Sequence, residues 1–246
     1  MDFDSTLSNF KENLDSVSKL VNFDKEVQEI AINGIENLHH FLKDEKGFAN
    51  PKWNGERTLQ TLRNIRKSPI LEDRYSLIFN QAVVLMVSYF ASGLGDLFRA
   101  SIARSFKRKD DAILRAELKV QVEDIALLLE SVDTQLGEFI IRKEGLSFQD
   151  MQSTHRAFKE YFGINIQTDE NVRNIIVAQA CRHSIVHVGA RVDLRMINQL
   201  KTITPRPLKP DIKLNDKITF TLNEISEVEN SMIMYLDNLV ENLKAN

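Results

Sequence analysis

The chain has 246 residues, with 32 Lys and Arg against 35 Asp and Glu, a formal charge of −3, and 43% hydrophobic and 27% charged residues. This is globular composition: it excludes wholesale disorder and a polycation that coats nucleic acid, and the scarcity of Gly (9) and Pro (5) disfavours turn-rich β-sandwiches and barrels. The single cysteine, Cys181, excludes an intramolecular disulfide and a Cys-based zinc cluster, and it fits a reducing compartment.

In chain order, most of the sequence has helical period. Leu7, Phe10, Leu14, Val17 and Leu20 recur at three- and four-residue steps and predict a helix over 5–20. Val27, Ile30, Ile35, Leu38 and Leu42 predict a second over 24–43. Gly47 and Pro51 break the pattern, and a short helix over 56–67 stops before Ser68-Pro69. Residues 1–69 thus form an N-terminal helical region, and 70–246 the remaining domain.

A long helix over 72–107 is apolar on several faces, which marks it as the central core helix. Within it, Gly93 and Gly95 mark a close helix approach or a bend. Further helices are expected over 111–141 and 148–162, the latter ended by Gly163. Thr168-Asp169 offers a cap for a helix over 170–187, and Val188-Gly189 ends it. Pro205, Pro207 and Pro210 mark a loop. Segments 211–214 and 217–222 flank Asn215-Asp216 and read as a small β-hairpin, followed by a last helix over 223–243. The fold class is all-α with extra N-terminal helices and a C-terminal hairpin.

The chain opens without the basic-then-apolar pattern of a signal peptide, and its longest apolar stretch, 82–91, is far short of the roughly 20 residues that span a bilayer. A cytoplasmic protein without membrane association is expected. No P-loop, G-x-G-x-x-G, H-E-x-x-H or G-x-S-x-G motif is present.

The informative stretch is 180–189, Ala-Cys-Arg-His-Ser-Ile-Val-His-Val-Gly. It sets Arg182, His183 and His187 at the end of an otherwise apolar helix. Arg182 and His187 stand about 140° apart around the axis, while His183 and His187 share a face. A helix C-terminus carries a partial negative charge and suits cationic side chains. Imidazoles there move protons near neutral pH. Alone, an Arg near a helix end is usually a surface ion-pair partner, and a lone His a structural residue.

Together, Arg182 and His187 with a polar residue after the Arg, Ile185-Val186 before the His and Gly189 after it resemble the R-x4-6-H motif of the HEPN superfamily. The organisation of 70–246 is similar too. That resemblance implies a HEPN-like helical bundle and a metal-independent endoribonuclease without cofactor. It makes Arg182 and His187 catalytic, with His183 assisting, and expects 2′,3′-cyclic phosphate and 5′-OH ends. It also implies a homodimer with one composite site, and a role as a toxin or antiviral effector acting on cellular RNA, with tRNA as one target and an antitoxin or regulatory protein as partner. Several relatives carry an acidic residue late in the core helix; the nearest here is Asp96.

A second signal is the acid-free run 99–109, with Arg99, Arg104, Lys107, Arg108 and Lys109. It is a phosphate-binding strip for RNA, or simply the cationic end of a helix. His183 and His187 have zinc-ligand spacing, but no third ligand accompanies them, so no metal is expected. Cys181 reads as a small buried residue. Two other readings stay open: a catalytically inactive RNA- or protein-binding module, and a purely structural helical domain.

Overall fold

A computed structural model describes residues 2–44, 55–66, 69–109 and 135–245. Eight helices carry these residues: α1 (Phe3–Asp44), α2 (Gly55–Arg66), α3 (Pro69–Arg108), α4 (135–144), α5 (Met151–Phe162), α6 (Glu170–His187), α7 (Leu194–Leu200) and α8 (Leu222–Ala245). The fold is predominantly helical.

The sequence pattern splits α1 in two near residue 22, but the structure runs it unbroken for 42 residues. The physical reason is local. No Gly or Pro interrupts positions 2–33, and Asn22 turns its Nδ2 back to the Ser18 carbonyl at 2.9 Å instead of capping a new helix. The start is fixed by the Asp2 carboxylate, which accepts from the Ser5 amide at 2.7 Å.

α3 is the axis of the core. Met86, Phe90, Leu94, Leu97, Phe98 and Ile102 are fully buried along it. It opens on Pro69, which suits a first helical turn. Packed against it, antiparallel, lies the first half of α1, with Phe10 on Phe90 at 6.1 Å between centroids. On another side α8 brings Tyr235 to Phe90 at 5.6 Å. α3 runs through Gly93 without a break, and a Cβ there would lie in ordinary contact with Leu236 at 3.6 Å and Phe10 at 3.8 Å. At Gly137 a Cβ would sit 2.8 Å from the Arg99 Cα, so α4 crosses α3 where only glycine fits. The far end of α3 is sealed by Phe98 against Phe148, Phe158, Tyr161 and Phe162.

Among the described residues one helix, Tyr75–Arg108, is long and apolar enough to cross a bilayer. It is longer than the apolar run 82–91 suggested, and its side chains from Val83 to Ile102 build the core. The helix expected over 111–141 lies outside the described residues except for its end in α4.

α6 begins and ends as the sequence predicts, and α5 ends so, but α5 starts at Met151, three residues later than expected, because Asp150 caps it. The Asp150 carboxylate accepts from the Ser153 amide, and that of Asp169 from the Val172 amide, each at 2.8 Å. Gly163 closes α5 at φ 65°. α8 starts with a reciprocal box, Thr221 with Glu224.

The hairpin expected over 211–222 does not form. Instead Arg191 and Lys217 make an isolated antiparallel bridge. Val192 donates to the Asp216 carbonyl and Ile218 to that of Ala190. The chain leaving α6 takes the pairing that 211–214 were expected to supply, because Val192 and Ile218 are the residues that reach the core. Asn80 locks this segment, donating from Nδ2 to the Ile218 carbonyl at 2.9 Å.

Candidate functional site

α6 is buried along one side from Val172 to Ser184 and then leaves the core. Its last turns rim a cavity of about 630 Å³ between α3, the start of α5 and the short α7. Arg182 and His183 line this cavity, with the more buried Gln179 from the same helix and Arg195 from α7. His187 does not line it. It sits exposed on the outer rim, its ring 4.8 Å from that of His183 and tilted by 46°.

Arg195 and Gln179 were not singled out in the sequence. α7 exists because Asp193 caps it, accepting from the Met196 amide at 2.8 Å. It is pinned under α6 by Met196, whose Sδ meets the buried Ser184 hydroxyl at 3.5 Å. That anchoring holds the Arg195 guanidinium 3.2 Å from His183 Nε2. A guanidinium only donates, so Nε2 accepts and the ring proton lies on Nδ1. The readable signal was Val192-Asp193 ahead of Leu194-x-Met196, a cap before an apolar repeat.

Gln179 is nearly buried and accepts from the Met151 amide through Oε1 at 3.1 Å. Its Nε2 is buried on the cavity side of α6 and has no partner. An unpaired buried amide N–H calls for an acceptor. With Arg182, His183 and Arg195 the cavity therefore offers donors and positive charge from two helices. Asp150 lines it too, but its carboxylate caps α5.

Burial pushes the His183 ring below the usual histidine range, and the charges of Arg195, His187 and Arg182 push it further; Asp193 opposes them. His183 is thus neutral at pH 7. Cys181, directly behind, is fully buried and its thiol is pushed up to about 12 by that burial. It is inert packing, as expected.

The basic run 99–109 is not part of this site. Along α3 it starts near the Phe98 aromatic cluster, and Arg108 lies about 25 Å beyond the cavity-lining Ala91. Arg99 pairs with Asp96 at 2.8 Å and Glu138 at 2.7 Å. This also occupies Asp96, which does not reach the cavity. Arg104 donates to the Leu243 and Lys244 carbonyls, closing the end of α8, and lies over the Phe3 ring. Lys107, Arg108 and Lys109 are exposed. Among the described residues no three His, Cys, Asp or Glu side chains converge as metal ligands.

No protein-family model, curated protein or solved structure matches the chain.

Proposed function

We propose that this cavity and its rim form the active site of a HEPN-type, metal-independent endoribonuclease. The observation that carries the reading is the convergence of Arg182, His183 and Arg195 on one cavity with His187 at its mouth. RNA supplies its own nucleophile, so the protein needs only to hold the phosphate and move two protons.

Arg182 and Arg195 hold the non-bridging phosphate oxygens and answer their growing charge. A neutral imidazole takes the 2′-OH proton as the 2′ oxygen attacks phosphorus. The bond from phosphorus to the 5′ oxygen breaks, and a protonated imidazole delivers its proton to that oxygen. The products are a 2′,3′-cyclic phosphate and a 5′-OH. His183 has its Nε2 engaged by Arg195, so it is a positioning residue. His187 is the proton carrier. A second carrier comes from a partner protomer, which is the composite homodimeric site the resemblance implies. Val186 and Val188, exposed on either side of His187 in the chain, and the exposed Leu194 at the start of α7 suit such a contact.

The basic run at the end of α3 is a second, separate candidate for RNA contact through the exposed Lys107, Arg108 and Lys109, with Arg99 and Arg104 already bonded within the fold. By the same resemblance the protein acts in the cytoplasm on cellular RNA, tRNA included, as a toxin or antiviral effector held in check by a regulatory partner.

One observation favours a second reading. His187 stands outside the cavity, and the donors inside suffice to bind a phosphate without cleaving it. That describes an RNA-binding module. The two are separated by incubating the protein with total RNA and with tRNA in EDTA, beside Arg182→Ala/His187→Ala. Cleavage by wild type alone, with cyclic phosphate ends, is the expected result. RNA affinity without cleavage by either protein overturns the enzyme reading.

A further inference from the structure

α1 has two faces. At 100° per residue, Phe10, Leu14, Val17 and Val21 fall in one sector, and all are buried. A second sector, centred about 130° away, behaves differently along the helix. In the first half it carries Ser5, Asn9, Glu12 and Ser16, as a solvated face should. From Leu20 onward the same sector carries Leu20, Phe23, Val27, Ile30, Leu38 and Phe41, between 43% and 72% exposed.

These side chains step along the helix by threes and fours, with Gly34 filling the one gap. The inner side of this half is already in use. Gln28 donates to the Tyr75 hydroxyl of α3, and Arg63 of α2 pairs with Glu36. The apolar stripe is a separate surface within about 80° of the axis, the width of a helix-pair seam.

We propose that this stripe binds the same stripe of a second copy of the chain, two α1 helices pairing side by side. Three features select that occupant. A seam repeating every three and four residues takes knobs from another helix, not from a loop or a flat sheet. The six side chains expose on the order of 600 Å², at the upper limit for a monomer's largest patch. With the polar neighbours that a helix pair also covers, this reaches the roughly 800 Å² per partner of a stable interface, so an identical stripe is a sufficient partner. Finally, Gly34 lies in the stripe with open space where its Cβ would be. Glycine weakens a helix interior; here it lets the partner backbone come close. A two-fold contact needs only one such self-complementary patch.

This interface is independent of the ribonuclease reading. The antiparallel packing of α1 on α3 puts Ile30 beyond Tyr75, about 25 Å along α3 from the cavity.

Sedimentation velocity on the full chain at tens of micromolar tests it. The wild type is expected at two or more times 28.3 kDa. Val27→Glu/Ile30→Glu is expected to halve the assembly mass while leaving helical circular dichroism unchanged. Ile30→Cys supplies a second readout, since the native Cys181 is buried. Mild oxidation should give a covalent dimer within minutes, and the control Asn13→Cys, on the polar half, should not. A monomeric wild type overturns the proposal, as does a Val27→Glu/Ile30→Glu protein of wild-type mass. An Ile30→Cys protein that does not cross-link also overturns it. RNA cleavage by the dissociated double variant bears only on the catalytic reading.

Discussion

α1 and α6 both leave the core part-way along their length, and they leave it with opposite kinds of side chain. α6 is buried along one side to Ser184, turns His183 toward a cavity, and then presents Val186 and His187 to solvent beside it. α1 is buried to Val21 and then presents a row of large apolar residues. An exposed imidazole such as that of His187 is well solvated and needs no cover; what remains to explain is its arrangement with His183 and Arg182. Exposed leucine and phenylalanine in a continuous row are unfavourable in water, so α1 is complete only when a second surface lies on it. The same departure from the core marks a chemical site in one helix and a docking face in the other.

The largest expected effect is at the end of α6. His187→Ala should lower RNA cleavage by about 10²- to 10⁴-fold, the usual contribution of a positioned proton carrier, with thermal stability unchanged because the ring is exposed. Cleavage kinetics beside a melting curve separate the two. A variant that melts early but cuts normally would make this helix end structural and erase the contrast with α1.

Next in size is a pair of truncations on α1 itself. Phe10→Ala empties a site packed on Phe90 and should cost about 3–5 kcal/mol in urea unfolding. Ile30→Ala, on the exposed stripe, should change stability by less than about 0.5 kcal/mol when the protein is dilute enough to be monomeric. A loss of several kcal/mol at Ile30 under those conditions would mean that its own chain covers it.

Much of this architecture was legible in the sequence. Gly163 ends α5, and Asp169 with Val188-Gly189 brackets α6, because caps act locally; the Asp150 cap of α5 was not read. The apolar run through Phe90 identified the central helix because a helix apolar all round must be surrounded. What failed depended on distant partners. Asn215-Asp216 carries turn chemistry, yet the strand it serves comes from Val192, outside the local window. α1 looked like two helices because its apolar phase shifts near residue 22. That shift is a change of face, from the core side to the stripe. Arg195 was invisible as a site residue because only the Ser184–Met196 contact brings α7 under the motif.

A smaller effect is expected where α6 enters the core. Asp169→Ala removes the carboxylate that accepts from the Val172 amide and should cost about 1 kcal/mol, read by the same urea titration. Because the cap sits at the opposite end of α6 from the motif, cleavage by the folded fraction should be unchanged. A loss of activity per folded molecule would mean that the helix must be rigid over its whole length for its last turn to work.

The smallest effects are two histidine titrations, and they divide burial from charge. His155, stacked on Tyr235, has its pKa lowered by burial, and its Nε2 is buried without a partner. The unfolded chain keeps the ordinary value of about 6.5. As pH falls through that value the unfolded state takes up a proton that the folded state declines, so stability is present above it and drains away toward the lowered folded value. His155→Phe keeps the stack and should flatten that slope. His183 is shifted the same way, but there Arg195, His187 and Arg182 add repulsion to burial. Salt screens exposed charges and leaves desolvation nearly untouched. Raising ionic strength should therefore raise the His183 pKa, followed by NMR, and leave that of His155 in place. Arg195→Met should raise it as well. Equal responses from both rings would make burial the common cause and remove the electrostatic distinction between the core and the rim of α6.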